Sequence, residues 1–215
     1  MTIRSLAENK PLNRREQVRQ DTVEEILRIA REEMKKDGVA ALSLGVIARR
    51  LGMKTPSLYT YFDSKNALYD ELFRRGFLEF GRWMDERPYQ DGSLRENMES
   101  AMKTYMRFAQ TNPDLFQLMF QRPVPDFVPS ETSMAVSLAQ LQEARTQFAH
   151  IFESGELSTT LSFEEILDIF IALQYGLTEL HLANNPDLPV GEGRFGKLIP
   201  QAVQTLLDAW QKTIV

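Results

Sequence analysis

The sequence contains no cysteine and only two histidines, His150 and His181. The first absence excludes disulfides, thiolate zinc sites, iron–sulfur clusters and a cysteine nucleophile. The second leaves little from which to build a histidine metal site. Long apolar runs are also lacking. The strongest, Ile166 to Leu173, already contains Asp168, whereas a membrane-spanning helix needs roughly 20 apolar residues. No transmembrane helix is expected. The opening residues, Met1 to Lys10, hold no apolar stretch of the kind a secretion signal requires. Hairpin turns flanked by β-branched runs are missing, and no strand-like alternation stands out. What remains is 215 residues with 43% apolar side chains, enough for a substantial core, and 26% charged ones. The expectation is a cytoplasmic, cofactor-free, all-α chain of one large or two modest domains.

The net charge of −5 argues at first against a polyanionic partner. Its distribution argues otherwise. Residues 1–65 carry 13 lysines and arginines against 9 carboxylates, a net of +4, while residues 66–215 carry 12 against 21, a net of −9. Such asymmetry suggests that one part of the chain meets nucleic acid and the other does not.

Proline is missing from 130 to 185, and Pro56 is the only one between Pro11 and Pro88. These gaps leave room for helices, since an interior proline costs about 3 kcal/mol. Asn13-Arg14-Arg15-Glu16, Ser93-Leu94-Arg95-Glu96 and Ser162-Phe163-Glu164-Glu165 each place a capping oxygen three residues before a glutamate, the pattern of a capping box. Thr55-Pro56 and Asn112-Pro113 place a cap before a proline at the first helical position. About nine helices are predicted, near 14–37, 43–50, 55–61, 64–86, 93–111, 113–121, 131–154, 162–184 and 196–213. Apolar spacing at helical period supports the long ones, as with Val23, Ile26, Leu27, Ala30 and Met34.

The informative segment runs from Gly38 to Lys65. Ser43 is placed to cap a two-turn helix with Ile47, Ala48 and Leu51 on its inner side. Gly52 then supplies the residue that takes positive φ and ends it. Thr55-Pro56 start a second short helix, whose Leu58 and Phe62 point back at Ile47 and Leu51. Two short helices joined by a glycine turn describe a helix-turn-helix. Thr55, Pro56, Ser57, Tyr59, Thr60 and Tyr61 are left facing outward. Hydroxyls there suit phosphates and base edges, and Pro56 suits a thymine methyl. Lys54 and Lys65 flank the helix as phosphate partners. The ordinary alternative is a helical corner with a solvated polar face. Arg4, Lys10, Arg14, Arg15 and Arg19 precede the segment, as an arm reaching DNA or as a solvated basic tail.

The order Ser-Leu-x-x-Ile-Ala, then Leu-Gly, then Ser-Leu-Tyr-x-Tyr-Phe-x-Ser-Lys resembles the tetracycline-repressor (TetR) family of bacterial regulators over roughly residues 14–70. The resemblance implies an all-α homodimer, with a basic arm over 1–13, a helix-turn-helix domain over 14–63 and a ligand-binding and dimerisation domain over 64–215. It places Lys54, Thr55, Pro56, Ser57, Tyr59, Thr60 and Tyr61 at or near the major groove of a palindromic operator, with Ser43 and Lys65 on phosphates. Gly45 departs from the pattern, because the family often has a polar helix former there.

The remaining two-thirds are acidic and rich in large apolar side chains. Most of these are core. As a set they also suit an apolar effector pocket, since such pockets are lined by aromatic side chains with a few polar groups. Trp83, Tyr105, Phe116, Met119, Phe120, Phe127, Phe148, Phe152, Gln174 and Tyr175 are the candidates. Asn112 to Phe120, followed by Arg122-Pro123-Val124-Pro125, resembles the effector domain of one TetR subgroup. That subgroup usually carries Trp-x-x-x-His-Gly, and here the stretch ends Gln174-Tyr175-Gly176. Helix 196–213 has a broad apolar stripe that calls for a second partner. The resemblance supplies one, a homodimer through helices near 162–184 and 196–213. No metal, nucleotide-loop or hydrolase motif is present. The functional expectation is a dimeric regulator, most simply a repressor released by a small apolar effector. The competing readings are a constitutive or architectural DNA-binding protein with no effector, and a small all-α enzyme.

Overall fold

The computed structural model describes residues 13–88, 92–153 and 159–210, with the backbone alone for 150–153. No strand occurs among the described residues. The chain divides into two compact units, Met1–Leu68 and Tyr69–Val215, and the first extends into the opening turn of the helix that follows the helix-turn-helix.

In the first unit, α1 (Arg14–Asp37) begins at Asn13, whose side chain accepts from the backbone of Arg15 and Glu16 while Glu16 reaches back to the Asn13 N–H at 2.9 Å. This reciprocal cap is worth about 1 kcal/mol. Ile26, Leu27, Ile29, Ala30 and Met34 are its buried face. After a 3₁₀ turn at Val39–Ala41, α2 (Leu44–Arg50) packs on α1. Arg50 ties the two helices together through Glu32 at 2.5 Å and Glu33 at 2.8 Å. Gly52, at φ 67°, closes α2, and the Met53 N–H turns back to the Ala48 carbonyl at 2.9 Å. Only a residue at ease with positive φ makes this turn without strain.

Helix α3 is shorter than its sequence suggests. It covers Thr55–Leu58, starts where expected but with Lys54 rather than Thr55 at the cap position, and puts Pro56 in the first turn. Tyr59 to Tyr61 form a turn that the Tyr61 and Phe62 N–H groups tie to the Leu58 carbonyl.

The chain then enters α4 (Lys65–Asp85), capped by Ser64 Oγ accepting from the Ala67 N–H. In the second unit, α5 (Leu94–Thr111) and α8 (Phe163–Asn184) start at Ser93 and Ser162 with the reciprocal serine–glutamate caps read from sequence. Helix α6 (Pro113–Phe116) passes into a π-helical stretch, Gln117–Gln121, which ends on left-handed Arg122. Helix α7 covers Glu131–Glu153, and α9 is one turn at Gly193–Gly196. Helix α10 covers Ile199–Trp210, so Phe195 and Leu198 precede it, and the expected start near 196 is corrected to 199. Helices α5, α8 and α10 share one apolar core, in which Met98, Met102, Phe170, Val203, Leu207 and Trp210 are buried.

The apolar stripe read near α10 divides: Ile199, Val203, Leu206, Leu207 and Trp210 are buried in the chain's own core, while Leu198 and Ala209 of the stripe are exposed beside Gln201, Thr205 and Asp208. Helix α8, by contrast, is long and apolar enough to cross a membrane by length and composition, although its uninterrupted runs are short. The reason is that α8 is apolar on two sides. One side meets α5. The other exposes Ile169 and Leu180, with half-buried Leu173 and Gly176 between them.

Candidate DNA interface and ligand cavity

On the first unit, Ser43, Lys54, Pro56, Ser57, Tyr59 and Thr60 are exposed, while Thr55, Tyr61 and Lys65 are half-buried. Leu58, the inward anchor of α3, is buried against α2. One side of a four-residue helix therefore carries hydroxyls, a proline and a lysine outward, held by the other side. Ser43 occupies the cap position of α2, but its side chain makes no capping bond. Lys65 Nζ donates to the Ala40 carbonyl at 3.3 Å, so a phosphate there would compete with that carbonyl. Tyr61 lies under the Arg19 guanidinium, 5.5 Å from the ring centroid. Its ring braces α1 more than it projects. Arg14, Arg15 and Arg19 are exposed on the first turns of α1, and residues 1–12 of the expected arm lie outside the described residues. Arg49 is an exposed cation not singled out from sequence. The signal was the Arg49-Arg50 pair, of which only Arg50 is taken up by Glu32 and Glu33.

The second unit contains a cavity of about 270 Å³ between α4, α5, α7 and α8. Tyr105, Phe120, Phe148, Gln174 and Tyr175 of the expected set line it. Trp83, Phe116, Met119 and Phe127 do not. Trp83 packs edge-on against Phe108, Phe116 lies between Tyr105 and Tyr175, and Phe127 packs on Tyr69 and Phe73. Met119 sits beside Gly76, where a Cβ would fall 2.5 Å from its sulfur. The side chain of Phe152 lies outside the described residues. Phe77, Phe80, Met84, Arg87, Asn97, Gln140, Gln147 and Phe170 also line the cavity and were not read as pocket residues.

The walls are apolar, and the polar groups sit at defined places. Arg87 is buried and donates to the Met84 carbonyl at 2.6 Å, to Gln147 Oε1 at 2.8 Å and to Asn97 Oδ1 at 3.2 Å. Burial pulls its pKa below the usual guanidinium range, against the opposing pull of Asp85. Burial pushes the Tyr105 hydroxyl well above the ordinary phenol value, with Tyr175 and Glu179 adding to the shift. It therefore stays protonated at neutral pH. The Oε1 of Gln174 is buried and has no hydrogen-bond partner. Among the described residues no group of three or more His, Asp or Glu could hold a metal ion.

A short helix-turn-helix with an outward hydroxyl-rich second helix is the architecture of a DNA-binding domain. Comparison with known proteins places the first unit. Residues 26–72 match the model for bacterial regulatory proteins of the tetR family. An HTH-type transcriptional regulator of Mycobacterium tuberculosis is 27% identical over 119 residues, which cover 54% of this chain and 50% of that protein. The chain thus spans about half the length of that curated relative. Among solved structures, a protein of unknown function from Rhodococcus sp. RHA1 has a TM-score of 0.70 at 20% identity, over 88% of this chain and 95% of its own. A TetR family transcriptional regulator from Chloroflexus aurantiacus has a TM-score of 0.68 at 16% identity, over 91% and 94% respectively. These likenesses show the fold.

Proposed function

We propose that the chain is a ligand-responsive transcriptional repressor that works in the cytoplasm as a homodimer on a palindromic operator and is released by a small apolar effector. The observation that carries the reading is the aromatic cavity. A constitutive or architectural DNA-binding protein has no use for such a void, because an unfilled cavity costs stability.

The DNA-facing set is Ser43, Lys54, Thr55, Pro56, Ser57, Tyr59, Thr60, Tyr61 and Lys65. In the sequence-based assignment it divides into phosphate partners, Ser43 and Lys65, and groups nearer the bases. The dimer surface assigned to α8 rests on its second apolar face. Ile169, Leu173, Gly176 and Leu180 recur at helical spacing, and nothing lies within 4 Å of a Cβ placed on Gly176. A flat centre flanked by aliphatic side chains suits the same helix of a second copy. Helix α10 would add polar groups beside it, its apolar side being occupied by its own core.

Release follows from linkage. An effector that prefers the DNA-free conformation is itself bound less tightly on the operator, by the same factor. The test is selection of binding sites from random DNA, followed by footprinting and then competition with candidate apolar compounds. The expected site is a pseudo-palindrome whose half-sites lie about 34–36 Å apart or a small multiple of that. Binding of a monomer to one asymmetric half-site would overturn the dimer. Failure of every compound that enters the cavity to displace DNA would overturn ligand control and leave the constitutive reading.

A further inference from the structure

Tyr61 belongs to the expected DNA-facing set, yet it is half-buried, and the Arg19 guanidinium rests over its ring, 5.5 Å from the centroid. The turn that carries the ring is fixed to α3, because the Tyr61 and Phe62 N–H groups donate to the Leu58 carbonyl at 2.9 and 3.0 Å. A cation on that ring therefore stands at the edge of the outward α3 surface, although Arg19 itself belongs to α1. Other arginines of the first unit are taken up by carboxylates, Arg28 by Glu25 and Glu32, and Arg50 by Glu32 and Glu33. Arg19 differs from these. It is exposed, and among the described residues its guanidinium meets the ring and no carboxylate. The acidic neighbours on α1 are engaged elsewhere, Glu16 with the Asn13 N–H and Asp21 with the Gln17 amide, both at 2.9 Å. An arginine neutralised by its own chain has little left for a polyanion. One held over a ring face keeps its charge and its N–H donors.

We infer that Arg19 is a phosphate-binding residue of the DNA interface, and that Tyr61 is its positioning residue, acting through the ring and not through the hydroxyl. The inference rests on the DNA-binding reading and adds to it a residue of α1, outside the two helices of the helix-turn-helix. The planar guanidinium suits phosphate oxygens, which it can engage with two N–H groups at once. A long side chain on a helix surface loses rotamer freedom when it binds, and one already placed by a ring loses less. A contact to phosphate carries no sequence information, so Arg19 adds affinity without changing which sites are preferred.

The experiment is fluorescence anisotropy of the full chain on two labelled random-sequence duplexes, one rich in A·T and one rich in G·C, across a salt series. Phosphate contacts are independent of sequence, so no operator is needed. Arg19→Gln, at an exposed helical position, weakens binding to both duplexes about threefold or more and lowers the salt slope by about one for each phosphate lost. Tyr61→Phe keeps the ring and binds as the parent does. Tyr61→Leu loses affinity by the same factor as Arg19→Gln, and the two combined lose nothing further. A Tyr61 of merely structural importance would cost the same factor with or without Arg19, and that result overturns the positioning role. Tyr61→Met takes the place of the leucine should a thermal melt show that variant unfolded. Unchanged affinity and slope in Arg19→Gln overturn the inference. So does a loss confined to one duplex, which marks a groove contact in place of a phosphate. A Tyr61→Phe protein as weak as Tyr61→Leu overturns it too, because the hydroxyl is then the contact. A wild-type chain that binds neither duplex overturns the DNA-binding reading itself, whereas a wild-type chain that binds both, with variants indifferent, overturns this inference alone.

Discussion

The carboxylate of Asp70, in the second turn of α4, accepts from the backbone N–H of Ser130 at 2.7 Å and from its hydroxyl at 2.8 Å. Buried Ser133 adds a third bond to the same carboxylate at 2.8 Å. Ser130 immediately precedes α7, so Asp70 acts as an anionic cap for a helix whose later turns wall the ligand cavity. A negative charge at a helix N-terminus is favourable, and hydrogen bonds to a charged group are the stronger kind. Asp70→Ala is expected to lower stability by about 1–3 kcal/mol, read as a fall in the urea midpoint, with Asp70→Asn falling between it and the parent. A midpoint unchanged by the alanine would show that the cap contributes nothing net.

Lys65 and the α3 hydroxyls should separate by salt dependence. Lys65→Ala is expected to weaken binding to all DNA sequences and to reduce the salt slope by about one for each phosphate the lysine neutralises. Ser57→Ala and Thr60→Ala should instead change the ranking of operator variants with little change of slope. Fluorescence anisotropy across a salt series distinguishes the two. A Lys65→Ala protein with unchanged affinity and slope would leave the lysine paired to the Ala40 carbonyl and away from phosphate.

Gly176 should be the least replaceable position on the outer face of α8. Gly176→Phe puts a ring at the flat centre of the proposed dimer surface, in a place where the isolated chain has open space. Folding should therefore survive while the dimer is lost, and sedimentation velocity would show a monomer with a helical spectrum. A stable Gly176→Phe dimer would place the interface elsewhere.

Gly45 offers a trade between stability and DNA binding. It lies inside α2, where glycine costs up to about 1 kcal/mol relative to alanine. A Cβ there would meet only Ser43 Oγ at 3.7 Å and Thr55 Oγ1 at 3.9 Å, both ordinary contacts. Gly45→Ala is expected to raise thermal stability by about that amount. The added methyl would also stand between two hydroxyls of the proposed DNA-facing surface and lower DNA affinity. A variant more stable and equally tight on DNA would remove Gly45 from the interface.

The long helices were legible because their caps are local. Asn13, Ser93 and Ser162 each announce a helix through a glutamate three residues on, and all three reciprocal caps form. Helix α3 was overrun because Tyr59 to Tyr61 continue its polar pattern, while the chain turns at the Leu58 carbonyl. The cavity was only half legible. Phe116 and Phe120 lie ring to ring, 5.2 Å between centroids, and both meet Tyr105, but Phe116 also stacks on Tyr175 and is fully covered. Phe120 reaches the cavity and Phe116 does not. Whether an apolar helix face borders core, void or solvent is decided by what lies opposite it. That is why the α10 stripe is only partly covered by its own core and α8 keeps a second apolar face.

Gly76 and Gly81 leave the α4 surface bare where Met119 and Gln140 rest, with a Cβ at Gly81 falling 2.5–2.7 Å from the Gln140 amide. At the Gly81 seam the backbone of α4 therefore meets the Gln140 side chain directly. Hydrogen-bonded joins stand on either side of it, Asp70 to Ser130 and Ser133 and Arg87 to Gln147. If the proposed effector enters between these two helices, those joins must part first, and substitutions there are expected to change its rate of exchange.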